Sequence, residues 1–120
     1  VLTVGEQVLF VRHTYGPRGW DLPGGTVKRG EEPLTTARRE MQEELGLDAD
    51  DWVPLGAVYA NDYHRHDVMH CFYAELGDRA VTIDRGEIAA AGWFDRRTLP
   101  PQLSRHVREI LARVDGRDEG

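Results

Sequence analysis

A chain of 120 residues can bury one hydrophobic core but not two ordinary ones, so residues 1–120 are expected to form a single domain. With 40% hydrophobic and 30% charged residues, and no apolar run near the roughly 20 residues that cross a bilayer, a membrane helix is excluded. A formal net charge of -6 argues against a broad electrostatic grip on nucleic acid, so an anionic substrate would have to be held by metal and local arginines. The lone Cys71 cannot form an internal disulfide, which suits a reducing compartment and makes the cytoplasm the expected location. The numbering begins at Val1, inside a β-like stretch and without an initiator methionine, which is compatible with upstream sequence having been trimmed.

The first elements read as a hairpin, Val1 to Val4 followed by VLFVRH at 8–13, with a turn near Gly5 and Glu6 and a buried second strand. TYGPRGWDLPGG follows, punctuated by glycine and proline, and is expected to be loop with a short strand at Trp20 to Leu22. A helix is predicted from Glu32 or Pro33 to Gly46, because proline suits a first helical turn and glycine a left-handed end. Its core arc would carry Leu34, Ala37, Met41 and Leu45. The small Thr36 would leave room beside the acidic arc. Three further strands are expected at 52–60, 68–76 and 90–94, and a last helix behind Pro100 and Pro101 with Leu103, Val107, Ile110, Leu111 and Val114 at helical spacing. Strands interleaved with two helices make the chain an α/β protein with a mixed sheet covered on both faces.

The acidic arc is the most informative feature. Glu40, Glu43 and Glu44 share one helix face and rise by about 1.5 Å per residue, so they project into one small volume. Like charges so close oppose one another's ionisation, and a hard divalent cation is the natural partner to offset them. The bland alternative, a solvated acidic face, is set aside because of the pattern in which the three stand.

Gly25 is followed by five residues and Glu31, then by seven residues and Arg39-Glu40-Met41-Gln42-Glu43-Glu44-Leu45-Gly46-Leu47. This resembles the Nudix box at every defining position, and GWDLPGG before it and EIAAAGWF at 87–94 resemble the family's flanking segments. The resemblance implies the Nudix fold, a mixed β-sheet sandwiched between α-helices. It also implies Mg2+- or Mn2+-dependent hydrolysis of a nucleoside diphosphate linked to another group. On the same ground Glu40, Glu43, Glu44 and the Gly25 carbonyl would bind metal, and Glu40 would be the first candidate for general base. Arg39 and Glu31 would orient the helix and its flanking loop. Glu87 stands where relatives supply a further glutamate, as ligand or base. Asp84 and the 61–67 loop stay open as other sources of the base.

Tyr63 stands where a tyrosine is found in relatives that cleave diadenosine polyphosphates, and it, Arg12 and Trp20 are the candidate substrate contacts. Arg18 is a weaker candidate for the phosphates. His64, His66 and His70 share strand parity, but nothing completes a zinc spacing. Asp62 stands where ADP-ribose pyrophosphatases carry proline, which disfavours that subfamily. The expected activity is therefore hydrolysis of a small nucleotide, with MutT-like removal of unwanted nucleoside triphosphates first. Cleavage of diadenosine polyphosphates or nucleotide sugars comes next, and a non-catalytic nucleotide-binding Nudix module is the alternative from another class. A homodimer is compatible with the sequence.

Overall fold

The computed structural model describes residues 1–16, 19–60 and 67–118. Its elements run β1 (Leu2–Val4), β2 (Gln7–His13), α1 (Pro33–Leu45), β3 (Val53–Ala60), β4 (Asp67–Glu75), β5 (Ile88–Asp95) and α2 (Arg105–Asp118). The five strands form one sheet in the order β3-β4-β1-β2-β5. The β1–β4 pair is parallel and the other three are antiparallel, so the sheet is mixed.

Successive residues of a strand point to opposite faces, and the consecutive buried run Val8-Leu9-Phe10-Val11 therefore needs cover on both sides. Leu9 and Val11 pack with Met41 and Leu45 of α1, while Val8 and Phe10 pack with Val107 and Leu111 of α2. A third cluster of Val58, Cys71 and Ile110 joins α2 to the β3–β4 half of the sheet. The two helices thus sandwich the sheet, each with its own core layer.

The predicted helix and strands stand within a few residues of where their patterns put them. Glu32 flanks α1 in an extended conformation, Pro33 opens it, and Gly46 ends it with φ 64° in the left-handed region. The segment at Trp20 to Leu22 contributes a single bridge between Val11 and Asp21. Two expectations are corrected. Leu34 is 38% exposed: it shares the azimuth of Met41, but it stands in the first turn, outside the core cluster. The last helix begins at Arg105 rather than directly behind the proline pair. Pro101 disfavours helical geometry at Pro100, Gln102 takes a positive φ of 62°, and Ser104 caps the helix by accepting the Val107 N–H. No helix among the described residues is long and apolar enough to cross a membrane.

Because Leu45 is fully buried in the α1 layer and Leu34 is not, their truncations should differ sharply. Leu45→Ala is expected to lower unfolding free energy by about 2–5 kcal/mol and Leu34→Ala by less than about 1 kcal/mol, read from urea melts.

Candidate active site

Residues 36, 40 and 44 form a ridge along α1, and all three side chains are buried. Glu44 is 1% exposed, and its Oε2 has no hydrogen-bond partner among the described residues. One carboxylate oxygen each from Glu40, Glu44 and Glu87 lie within 4.8 Å of one another. Glu43 projects from the rim of the same face, half exposed, with its carboxylate 3.2 Å from Arg39 Nη1.

Glu87 reaches the helix because the segment before it docks on the C-terminal turn of α1. The last carbonyls of a helix have no intrahelical donor, and here the N–H groups of Thr82 and Asp84 supply one to Leu45 and Glu44 at 2.9 Å each. Asp84 then builds the turn. Its carboxylate accepts the Gly86 N–H and its carbonyl accepts those of Glu87 and Ile88. Asp84 is thereby occupied as a turn former, while Glu87 joins Glu40 and Glu44.

Arg39 ties the helix to the preceding loop. Its Nε and Nη2 form a fork on the two oxygens of Glu31 at 2.9 and 3.0 Å, its Nη1 reaches Glu40 at 2.8 Å, and its Nη2 also donates to the Thr26 carbonyl. Glu31 further accepts the Thr36 hydroxyl at 2.7 Å and the Lys28 N–H at 3.1 Å. Thr36, read from the sequence as a spacer, is therefore a working member of the clamp. A hydroxyl at i−4 from Glu40 was the available signal. Gly25 lies so close to the Glu40 side chain that a Cβ there would overlap Glu40 Cδ and Cγ, which accounts for glycine at that position.

Two carboxylates are displaced in opposite directions by these surroundings. The hydrogen bonds from Arg39, then from Thr36 and the Lys28 backbone, hold Glu31 at about 2, well below its ordinary 4.5. Burial first, then the hydrogen bond and charge of Glu40 and the charges of Glu87 and Glu43, push Glu44 up to about 8. A buried acid that resists ionisation beside two other carboxylates, with one oxygen unpartnered, is the environment a divalent cation would relieve.

The remaining sequence candidates lie elsewhere. Trp20 stands edge-on to Phe94 at 5.1 Å in the α2 layer, and the Arg12 guanidinium lies 5.0 Å over the Trp20 ring. Neither lines the cavity of about 770 Å³ that opens beside Gly25, Thr26 and Thr36. Tyr63, Arg18, His64 and His66 are outside the described residues. His13 and Tyr15, whose rings are 5.4 Å apart at the end of β2, were not singled out in the sequence, because nothing local distinguishes them from loop residues.

These geometries give two expected outcomes. The depressed Glu31 stabilises the fold above about pH 4.5, and that contribution is lost as pH falls toward about 2. The raised Glu44 acts with the opposite sign in metal-free protein, whose stability should fall as pH rises from about 4.5 through about 8. Thermal melts across this range should show both slopes, with Glu31→Gln flattening the acid limb and Glu44→Gln the alkaline one. Gly25→Ala should shift Glu40 and cut activity by about 100-fold while leaving the melting temperature within a few degrees, since the overlap is with one side chain.

Comparison with known proteins identifies the family. The chain is 32% identical over 114 residues to a putative 8-oxo-dGTP diphosphatase of Bacillus subtilis (strain 168), an alignment covering 92% of this chain and 74% of that protein. It is 55% identical over 50 residues to an ADP-ribose pyrophosphatase of Mycobacterium tuberculosis, but there the match spans 41% of this chain and only 24% of the relative's length. Its fold superimposes on a MutT NUDIX hydrolase of Burkholderia pseudomallei with a TM-score of 0.83 at 25% identity, covering 94% of this chain and 92% of the other. The model of the NUDIX domain matches residues 1–114, nearly the whole chain, and the protein belongs to the Nudix family of pyrophosphohydrolases.

Proposed function

We propose that this chain is a single-domain, Mg2+- or Mn2+-dependent hydrolase of the pyrophosphate link in a small nucleotide, with MutT-like removal of an unwanted nucleoside triphosphate as its reaction. The observation that carries this reading is the convergence of Glu40, Glu44 and Glu87 around a buried, unpartnered Glu44 oxygen. Those three carboxylates would hold the cation, with the Gly25 carbonyl beside them and Glu43 at the rim. When bound, a divalent ion neutralises phosphate charge and makes a nearby water more acidic.

The chain's own residues supply the rest. Arg39 keeps Glu40 in a fixed rotamer beside Gly25 and so positions the first candidate for general base. Glu87 is more exposed to water and is the second candidate for that proton. Tyr63 is the proposed substrate contact, since Arg12 and Trp20 pack on each other and do not line the cavity beside Gly25. The alignment with the putative 8-oxo-dGTP diphosphatase over 92% of this chain supports the nucleoside triphosphate reading. A second reading, cleavage of a nucleoside diphosphate sugar such as ADP-ribose, is supported by the 55% identity over 50 residues to an ADP-ribose pyrophosphatase.

A Mg2+-dependent screen over nucleoside triphosphates, 8-oxo-dGTP, ADP-ribose, other nucleotide sugars and dinucleoside polyphosphates, with products identified, decides between them. Glu44→Gln and Glu40→Gln should each lower turnover of the preferred substrate at least about 100-fold with circular dichroism unchanged. Unaltered turnover in either variant overturns the proposed site. Tight nucleotide binding with no hydrolysis of any substrate would replace the enzyme by a binding module.

A further inference from the structure

Glu87 enters the carboxylate cluster from a turn whose backbone is held on both sides. On one side, the Gly86 N–H donates to the Asp84 carboxylate at 3.0 Å and the Glu87 N–H to the Asp84 carbonyl at 3.1 Å. On the other, Thr14 takes the two carbonyls. Its hydroxyl donates to the Gly86 carbonyl at 2.8 Å, with a longer branch of 3.4 Å to the Glu87 carbonyl, and its N–H donates to the Glu87 carbonyl at 3.0 Å. All four backbone polar groups of residues 86 and 87 are therefore paired, the two donors with Asp84 and the two acceptors with Thr14.

Thr14 stands 73 residues from Glu87 in sequence, directly after β2, and meets it through a shift of register. From Gln7 opposite Asp95 to Arg12 opposite Ala90, each step along β2 is matched by one along β5. His13 then pairs with Ile88, which leaves Ala89 as an extra residue on β5. In unbroken register Thr14 would face Ile88; the shift sets it against Glu87. Asp84 belongs to the segment docked on α1, its N–H donating to the Glu44 carbonyl at 2.9 Å. The Glu87 backbone is thus bracketed between the end of β2 and the end of the helix that carries Glu40 and Glu44.

We propose that Thr14 is a positioning residue for the cation site: its hydroxyl, working against Asp84, fixes the Glu87 backbone so that the Glu87 carboxylate meets those of Glu40 and Glu44, one oxygen of each lying within 4.8 Å of the others. The role depends on Glu87 being a cation ligand, as proposed above, and Thr14 acts through that residue rather than on metal or substrate. Ligating groups must stand within about 0.5 Å of their productive positions, so a loop that drifts loses affinity without unfolding. Thr14 is exposed, and a Gly86 carbonyl deprived of its hydroxyl can bond to water. Removal of that one donor therefore falls on the placement of Glu87 and hardly on the stability of the fold.

The test is affinity for Mn2+, without substrate and followed by electron paramagnetic resonance, in wild type, Thr14→Val, Thr14→Ser, Glu87→Gln and the double variant Thr14→Val with Glu87→Gln. Glu87→Gln should weaken binding at least about tenfold. Thr14→Val, nearly the same shape without the donor, should weaken it about fivefold, the effect of one hydrogen bond. Thr14→Ser keeps the hydroxyl and should bind as wild type does. In the double variant the valine should have no further effect, because the two residues act as one unit. Wild-type affinity in Thr14→Val, beside a weakened Glu87→Gln, would overturn the positioning role and leave the cation site standing. A serine variant as weak as the valine one, or losses that add in the double variant, would overturn it as well, since Thr14 would then act by some route other than Glu87. Unchanged affinity in Glu87→Gln would remove Glu87 from the cation site and this role with it.

Discussion

The mutual repulsion of carboxylates at the C-terminal half of α1 is the constraint to which the rest of this structure answers. Glu44 is buried with one oxygen unpartnered, Glu40 stands one turn before it, and Glu87 is brought in from a distant loop. Ionising all of these in a partly dehydrated space is unfavourable, and the upward displacement of Glu44 is the measure of it. Such strain survives only where surrounding structure over-determines it and where a ligand can relieve it. The same carboxylates that burden the metal-free fold are therefore what makes it receptive to a cation.

Two devices hold the arrangement in place. One is the Arg39 fork on Glu31, reinforced by Thr36 and the Lys28 N–H, which joins the helix to the loop containing Gly25 and Thr26. A planar guanidinium can satisfy a carboxylate with two parallel bonds and still reach Glu40 and Glu43, which a lysine could not do. The other is backbone docking. The segment at 82–87 meets the free carbonyls at the end of α1, and Asp84 turns the chain so that Glu87 arrives beside Glu44. The site is thus sited at the meeting of a helix end, a glycine turn and a strand end, all supported by the sheet and by core on both of its faces.

How much of this was legible in the sequence depended on the range of the interactions. The helix at Pro33–Leu45 and the buried run of β2 follow from periodicity and end signals, which are local, and both were read correctly. That Glu40, Glu43, Glu44, Arg39 and Glu31 would stand together was readable because they lie at fixed offsets along one helix and its leading loop. Leu34 was misread because periodicity gives azimuth but not how far the core extends along the axis. Thr36 looked like a spacer because its acceptor, Glu31, is fixed only when the loop folds back. The start of α2 was misplaced because the proline pair forms the turn before the cap rather than the first turn itself.

The spacing of residues along the chain alone determined that this protein carries a cluster of glutamates on one helix of an α/β scaffold, since every member of that pattern lies within one helix and its leading loop. Tertiary structure decided which carboxylates share a volume. It set Glu87 rather than Asp84 beside Glu40 and Glu44, left Glu43 at the rim with Arg39, and fastened Thr14 to the loop that carries Glu87. The physical reason is that offsets on a helix are dictated by its fixed rise and turn. Contacts between α1, the 82–87 segment and the end of β2 arise only after the sheet has brought distant stretches of chain together.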